Sequence, residues 1–354
     1  MERKNVGTKR EFGWTKEGRT VSLYVLQNKN GTAAEITDLG ASLVRLWVRD
    51  KEGKRTDVVL GYDTPEGYKK GTCFFGAIVG RNANRIAGAQ FELNKMAYTL
   101  ADNDNGNNLH SGTDFYNTRI WETEEYTDSY VRFKLHSPDG DQGFPGNADI
   151  YVTYRLDERD TLDIRYEASA DKDSLFNLTN HSYFNLDGHD SGSVLGHTLQ
   201  LEADCFTPGN AYAIPTGEIL SAEGTPMDFR NGAKIGARIE EEYEPLHFGN
   251  GYDHNWVLKN QGKFEKAAEL RGEKSGIVME TYTDRPGIQI YTANYVENEK
   301  GKNGAVYGKR SAVCLETQCW PDAVHHENFP SPVCRAGEKY DTHTAFRFST
   351  DKDS

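Results

Sequence analysis

The sequence predicts an all-β protein, a large antiparallel β-sandwich with only a few short helices. Three observations carry this. Apolar residues recur with a period of two, the alternating runs are short and separated by Gly, Asn and Asp, and stretches with helical spacing are scarce. In chain order, residues 64–70 have room for one helical turn. Phe91 and Leu93 alternate with polar residues, turn at Asn94-Lys95, and resume at Tyr98 and Leu100. Val131-Arg132-Phe133-Lys134-Leu135 reads as a short strand. Ile150, Val152, Tyr154 and Leu156 line one face of the next run. A polar turn at Asp157-Glu158-Arg159-Asp160 then leads into Leu162, Ile164, Tyr166 and Ala168, which makes a hairpin by pattern. Residues 234–243 form the best helical candidate. Residues 276–283, a break at Asp284-Arg285-Pro286-Gly287, and residues 288–293 read as another hairpin closed by a Pro-Gly turn. No linker, composition shift or repeat divides the chain, so a single domain over residues 1–354 is expected.

Composition narrows the function. A chain of 354 residues buries enough surface to fold without a disulfide or metal staple. With 41 basic against 54 acidic side chains the formal charge is −13, which argues against affinity for nucleic acid or an anionic membrane. No apolar run approaches the roughly 18 residues of a spanning helix. The start, Met1-Glu2-Arg3-Lys4-Asn5, leads into no apolar core of a secretory signal. The five Cys are odd in number and lack CxxC spacing, which fits reduced thiols. A cytoplasmic location is therefore expected. The Asn30-Gly31-Thr32 sequon is a three-residue match of the kind chance supplies.

Five polar segments interrupt the alternation. The first is Gly80-Arg81-Asn82-Ala83-Asn84-Arg85-Ile86, followed by Asn107-Asn108-Leu109-His110-Ser111-Gly112. The second is Thr179-Asn180-His181-Ser182-Tyr183-Phe184-Asn185-Leu186, and the third Gly251-Tyr252-Asp253-His254-Asn255. The fourth runs from Pro286 through Gln289 to Asn294. The fifth is Leu315-Glu316-Thr317-Gln318-Cys319-Trp320-Pro321-Asp322-Ala323, leading to Asn328-Phe329-Pro330-Ser331-Pro332. Each alone has a structural explanation: an Asn-rich turn, a hydrogen-bonded core histidine, an edge carboxylate.

In this order and spacing the set resembles the aldose 1-epimerases, the galactose mutarotase family, from about Gly40 to Phe348. The resemblance implies the galactose mutarotase-like sandwich with the sugar in an open cleft. It implies His181 as catalytic acid and Glu316 as catalytic base. It also implies Asn84, Arg85, His110, Asp253 and Gln289 as sugar-binding residues, a free monosaccharide as substrate, and no cofactor. Two positions depart from the family: Ser111 replaces the first Gly of a Leu-His-Gly-Gly motif, and Lys95 stands in a turn that often holds Gly. If residue 111 needs a positive φ, Ser there is strained and His110 shifts with it.

The chemistry fits these residue types. Exchanging α and β anomers means opening a hemiacetal and closing it on the other carbonyl face. A proton leaves the C1 hydroxyl while another reaches the ring oxygen, so one base and one acid suffice. A carboxylate with a reference pKa near 4.3 is expected to be ionised at pH 7; a histidine near 6.5 is partly protonated, and a neighbouring carboxylate would raise that fraction. Asn84, Arg85, Asp253 and Gln289 bring both donors and acceptors to sugar hydroxyls. Tyr183, Phe184 or Trp320 could offer an apolar face, though each also suits the core.

Other readings weigh less. Adjacent His325 and His326, placed on a strand, would point to opposite faces and make poor zinc co-ligands with Glu327. Gly249-Asn250-Gly251 lacks the spacing of a dinucleotide loop. Cys314 and Cys319 have no neighbouring His in sequence to activate them and read as structural. Glycosidases rely on paired carboxylates rather than His with Glu. An epimerase for xylose, arabinose or maltose is a variant of the leading expectation. A non-catalytic sugar sensor on the same fold is the alternative from another class, and it has no need of an acid–base pair. Oligomeric state is not legible.

Overall fold

The computed structural model describes residues 8–352; the Met1–Asn5 start lies outside them. Strands dominate. A nine-stranded antiparallel sheet runs in the order Glu122–Tyr126, Tyr130–Ser137, Ala148–Leu156, Thr161–Ala170, Tyr340–Thr350, Ile277–Thr283, Glu265–Arg271, Thr198–Leu201, Ala233–Lys234. A six-stranded sheet has the order Tyr183–Phe184, Val313–Gln318, Gly287–Tyr291, Asp253–Leu258, Ala203–Thr207, Leu220–Ser221. A five-stranded meander from Thr8–Trp14 to Arg55–Asp57 forms a further sheet.

The alternation read from the sequence builds the core. Ile150, Val152, Tyr154 and Leu156 are buried on one face of their strand and pair with Ala168, Tyr166, Ile164 and Leu162. They belong to one apolar cluster that runs from Tyr24 to Phe348 and takes in Val313, Leu315, Ile288 and Ile290 of the six-stranded sheet. Burying apolar surface between two sheets is the main stabilising term in such an architecture. The expected hairpin at Asn94-Lys95 is present, Gln90–Leu93 against Met96–Thr99, with both turn residues at positive φ. Residues 65–70 form a helical turn capped by the Thr64 side chain, which accepts from the Gly67 amide.

Two expected elements differ. Residues 276–293 are not a hairpin: Ile277–Thr283 lies in the nine-stranded sheet beside Tyr340–Thr350, whereas Gly287–Tyr291 lies in the six-stranded sheet between Asp253–Leu258 and Val313–Gln318. The Pro286 break is a corner between layers. Both Ile288 and Ile290 are fully buried, so the second strand is held by the sandwich core rather than by its sequence neighbour. Residues 234–243 are not an α-helix. The Ile235 amide donates to the His197 carbonyl and the Gly236 amide to that of Leu195, so long-range pairing consumes the donors and leaves only a 3₁₀ turn, Ile235–Ala237. A short helix forms instead at Glu244–Gly249, with Pro245 in its first turn.

Candidate active site

The site forms where strand pairing lines up side chains of equal parity on the face of the six-stranded sheet away from the core. Val313–Gln318 is buried along its whole length: Val313 and Leu315 face the core, while Cys314, Glu316 and Gln318 face the other way. Register places Glu316 opposite Gln289 and Gln289 opposite Asn255 in one row. The next row holds Cys314, Tyr291 and Asp253. Gly287 pairs with Gln318, and a Cβ there would come within 2.4 Å of Asn255 Oδ1 and 2.7 Å of Trp320 Cδ1. The glycine therefore makes room for the row's polar side chains. Gln318 Nε2 donates to Gln289 Oε1 at 3.2 Å, and Gln289 Nε2 donates to Asp253 Oδ1 at 2.8 Å. That chain fixes which end of the Gln289 amide faces Asp253.

The other wall comes from the Asn-rich segments. Arg85-Ile86 pairs with Asn108-Leu109, the His110 amide donates to the Asn84 carbonyl, and the Asn84 amide donates to His110 Nδ1 at 3.1 Å. Arg85 Nε is held by Asp104 Oδ2 at 2.6 Å. Arg81, in the same segment, points away and is fully buried, donating to the Pro145 carbonyl and to Ser137 and Ser174. It anchors the loop; Asn84 and Arg85 are the members that reach the cleft. Residue 111 does adopt a positive φ, +68°, and Ser111 answers the strain with its hydroxyl. The hydroxyl accepts the Asn82 amide at 2.7 Å and donates to the Asn82 carbonyl at 2.8 Å, tying the two segments together.

All seven residues named from the sequence, His181, Glu316, Asn84, Arg85, His110, Asp253 and Gln289, line one open cleft of about 420 Å³. His181 Nε2 lies 3.5 Å from Glu316 Oε2, and both side chains are almost wholly buried. Among the described residues, that carboxylate oxygen has no hydrogen-bond partner. The His181 ring is stacked between Tyr183 at 5.0 Å and Phe74 at 5.9 Å. Phe184 and Trp320 take no part: Phe184 packs on Phe346 in the core, and Trp320 packs on Phe329 with its indole N–H on the Pro286 carbonyl.

Electrostatics differ from the expectation for exposed groups. Burial lowers the His181 pKa to about 4. Burial, reinforced by the Asp253 charge and opposed by Arg85, pushes the Glu316 carboxyl well above its ordinary range. Desolvation thus outweighs mutual attraction, and the pair prefers to be neutral, with one proton between the two groups. His110 is likewise held well below its ordinary value by burial, then by His181 and Arg85.

His110, His181 and Glu316 have ligand atoms within 4.8 Å of one another, a spacing that could hold a metal ion. The hydrogen bond at His110 speaks for a different ligand. Its Nδ1 lone pair accepts the Asn84 amide, so the ring proton sits on Nε2, the nitrogen a cleft cation would need. A sugar hydroxyl oxygen suits that N–H. His325 and His326 are not on a strand, as the zinc argument assumed, but in and just after a 3₁₀ turn. Both rings reach Asp322, His325 Nδ1 at 2.6 Å and His326 Nε2 at 3.4 Å. Asp322 in turn accepts the Ala87 amide, so this group braces the loop leading out of Arg85-Ile86.

The family model described as aldose 1-epimerase matches residues 22–347. The chain belongs to the aldose 1-epimerase family. Galactose mutarotase from Bos taurus is 42% identical over 331 residues, covering 93% of this chain and 94% of the relative. That from Homo sapiens is 41% identical, covering 94% and 95%. The aldose 1-epimerase of Escherichia coli K12 is 34% identical, covering 94% and 96%. Of solved structures, the GalM/aldose epimerase homologue from C. elegans superposes with a TM-score of 0.87 at 32% identity, covering 93% of this chain and 99% of that one. The galactose 1-epimerase from Lactobacillus acidophilus gives 0.84 at 25%, covering 97% and 98%. As an aldose 1-epimerase the enzyme is an isomerase, a mutarotase interconverting the anomers of a free aldose. Sequence reasoning left out Phe74, Tyr291, Asp104 and Gln318, which shape the cleft or hold its residues. Gln318 was within reach, because it shares strand parity with Glu316.

Proposed function

We propose that the enzyme mutarotates free aldohexoses such as D-galactose or D-glucose, with Glu316 as base and His181 as acid. The observation that carries this reading is the pairing of an unpartnered, buried Glu316 oxygen with His181 Nε2 at 3.5 Å in a cleft lined by neutral and charged hydrogen-bonding groups. Glu316 takes the proton of the C1 hydroxyl as the His181 imidazolium gives one to the ring oxygen; the C1–O bond to the ring opens and the aldehyde forms. Rotation about C1–C2 presents the other carbonyl face, and the same two groups return their protons in reverse. The reacting form is the less favoured carboxylate–imidazolium arrangement of the shared proton, and ring opening turns it into carboxyl and neutral imidazole, the direction that burial of both groups favours.

Asp253, with Gln289 fixed against it, and Arg85, fixed by Asp104, are the charged contacts for the remaining hydroxyls. Asn84 and the His110 Nε2–H complete the set. A site of fixed buried hydrogen-bonding groups rejects sugars that leave them unpaired, which is why one or two hexoses are expected to dominate. The continuous apolar cluster supports reading residues 1–354 as a single domain. No helix among the described residues is long and apolar enough to cross a membrane. The acidic charge and the odd number of cysteines, all free, favour a cytoplasmic enzyme that acts on a small sugar and binds neither nucleic acid nor an anionic membrane. Polarimetry on freshly dissolved α-D-galactose and α-D-glucose tests the proposal. Faster relaxation to the unchanged final rotation supports it, and the rate ratio ranks the sugars. No acceleration with either would refute the substrate assignment.

A further inference from the structure

The His181 ring is clamped on both flat faces, and its edge offers two nitrogens with different neighbours. Nε2 faces Glu316 at 3.5 Å, while Nδ1 lies 3.6 Å from Cys314 Sγ. Cys314 and Glu316 are two residues apart on Val313–Gln318, so one strand places a partner at each end of the imidazole edge. We infer that Cys314 is a positioning residue: its sulfur accepts the Nδ1–H of His181 and leaves Nε2 as the nitrogen that exchanges a proton with the sugar's ring oxygen. This rests on the reading of His181 as the acid.

The choice of a thiol has a physical reason. An acid must give up its proton readily, and a carboxylate at Nδ1 would hold the imidazolium charge in place. An apolar side chain would leave a buried N–H unpaired once the ring is charged, and would let the neutral ring carry its proton on either nitrogen. A neutral sulfur lies between these cases: a weak acceptor that sets the tautomer and adds no charge. Cys314 is fully buried, and burial keeps it a thiol, which suits an acceptor and not a nucleophile. The sequence reading of Cys314 as purely structural missed this, because His181 is distant in the chain and meets it only across the pairing of Tyr183 with Cys314.

The test uses the whole enzyme with Cys314→Ala and Cys314→Ser. Readouts are the side-chain ¹⁵N shifts of His181, and kcat and KM for galactose mutarotation. The wild type and Cys314→Ser should show His181 protonated on Nδ1. In Cys314→Ala the tautomer should become mixed and kcat should fall about tenfold, the effect of one modest hydrogen bond, with KM changed less than about twofold. An Nε2–H tautomer in the wild type, or unchanged tautomer and kcat in Cys314→Ala, would overturn the inference. Equal damage in the Ser and Ala variants at wild-type melting temperature would also overturn it, because packing rather than acceptance would then be the role. If His181→Asn retained normal turnover, the reading of the acid would fail. The ¹⁵N tautomer measurement would still judge the Cys314 contact on its own.

Discussion

Burial decides how His181 and Glu316 titrate, and with them the pH range of the enzyme. Between about pH 4, where His181 would take a second proton into the pair, and the raised pKa of Glu316, the two groups share one proton. On the proposed roles, below that window Glu316 is protonated and His181 charged, so no base is left; above it both groups are deprotonated and no acid is left. The acid limb of the kcat/KM profile for galactose should therefore appear only as pH drops toward 4. An acid limb at the ordinary histidine value near 6.5 would contradict the desolvated pair. Ser111 is a second single-residue case. Its positive φ costs a side chain something, and its hydroxyl offsets that cost with two bonds to the Asn82 backbone. Ser111→Gly should lie within about 1 kcal/mol of the parent in denaturant unfolding, the relieved strain compensating for the lost bonds. Ser111→Ala keeps the strain, leaves the Asn82 amide unpaired, and should lose about 1–3 kcal/mol.

At the scale of elements, the cleft is a property of register. Glu316, Gln289 and Asn255 share a row only because Gly287–Tyr291 lies between Asp253–Leu258 and Val313–Gln318, and Gly287 leaves that row its space. Gly287→Ala should displace Asn255 or Trp320, costing about 1–3 kcal/mol in unfolding and raising KM for galactose, measured by polarimetry. Unchanged stability and KM would show that the row tolerates a methyl group. Much of this level was legible in the sequence. The period of two located Ala148–Leu156, Thr161–Ala170 and the Gln90 to Thr99 hairpin, because each strand buries one face and exposes the other. It failed at residues 276–293, where local turn chemistry is the same for a hairpin and for a corner between layers; only the core tells them apart. It failed again at residues 234–243, where the Ile235 and Gly236 amides are taken by the His197 and Leu195 carbonyls far along the chain. That the seven named residues would meet in one cleft was legible only through the family resemblance, since nothing within a segment such as Asn84-Arg85 says that it will face Asp253. The pKa directions were not legible, because they follow from desolvation that only the assembled cleft imposes.

For the whole molecule, the sandwich supplies one wall and the two Asn-rich segments the other, so that His181 and Glu316 meet Asn84, Arg85, His110, Asp253 and Gln289 in one cleft. His110 Nδ1 accepts the Asn84 amide, which leaves its proton on Nε2 toward the cleft, and the proposed acid–base pair opens and recloses the hemiacetal by proton transfer alone, so activity should survive EDTA with no more than a twofold change; loss restored by zinc or magnesium would show that the His110, His181 and Glu316 cluster holds an ion in the working enzyme. The central claim is that Glu316 is the base of a mutarotase acting on galactose. It is tested most directly by polarimetry of α-D-galactose with the parent enzyme and with Glu316→Gln, together with galactose binding by calorimetry. The account predicts that the variant loses on the order of 10²–10⁴-fold in kcat while still binding galactose. A Glu316→Gln enzyme that binds the sugar and relaxes it at the parent rate would contradict the account.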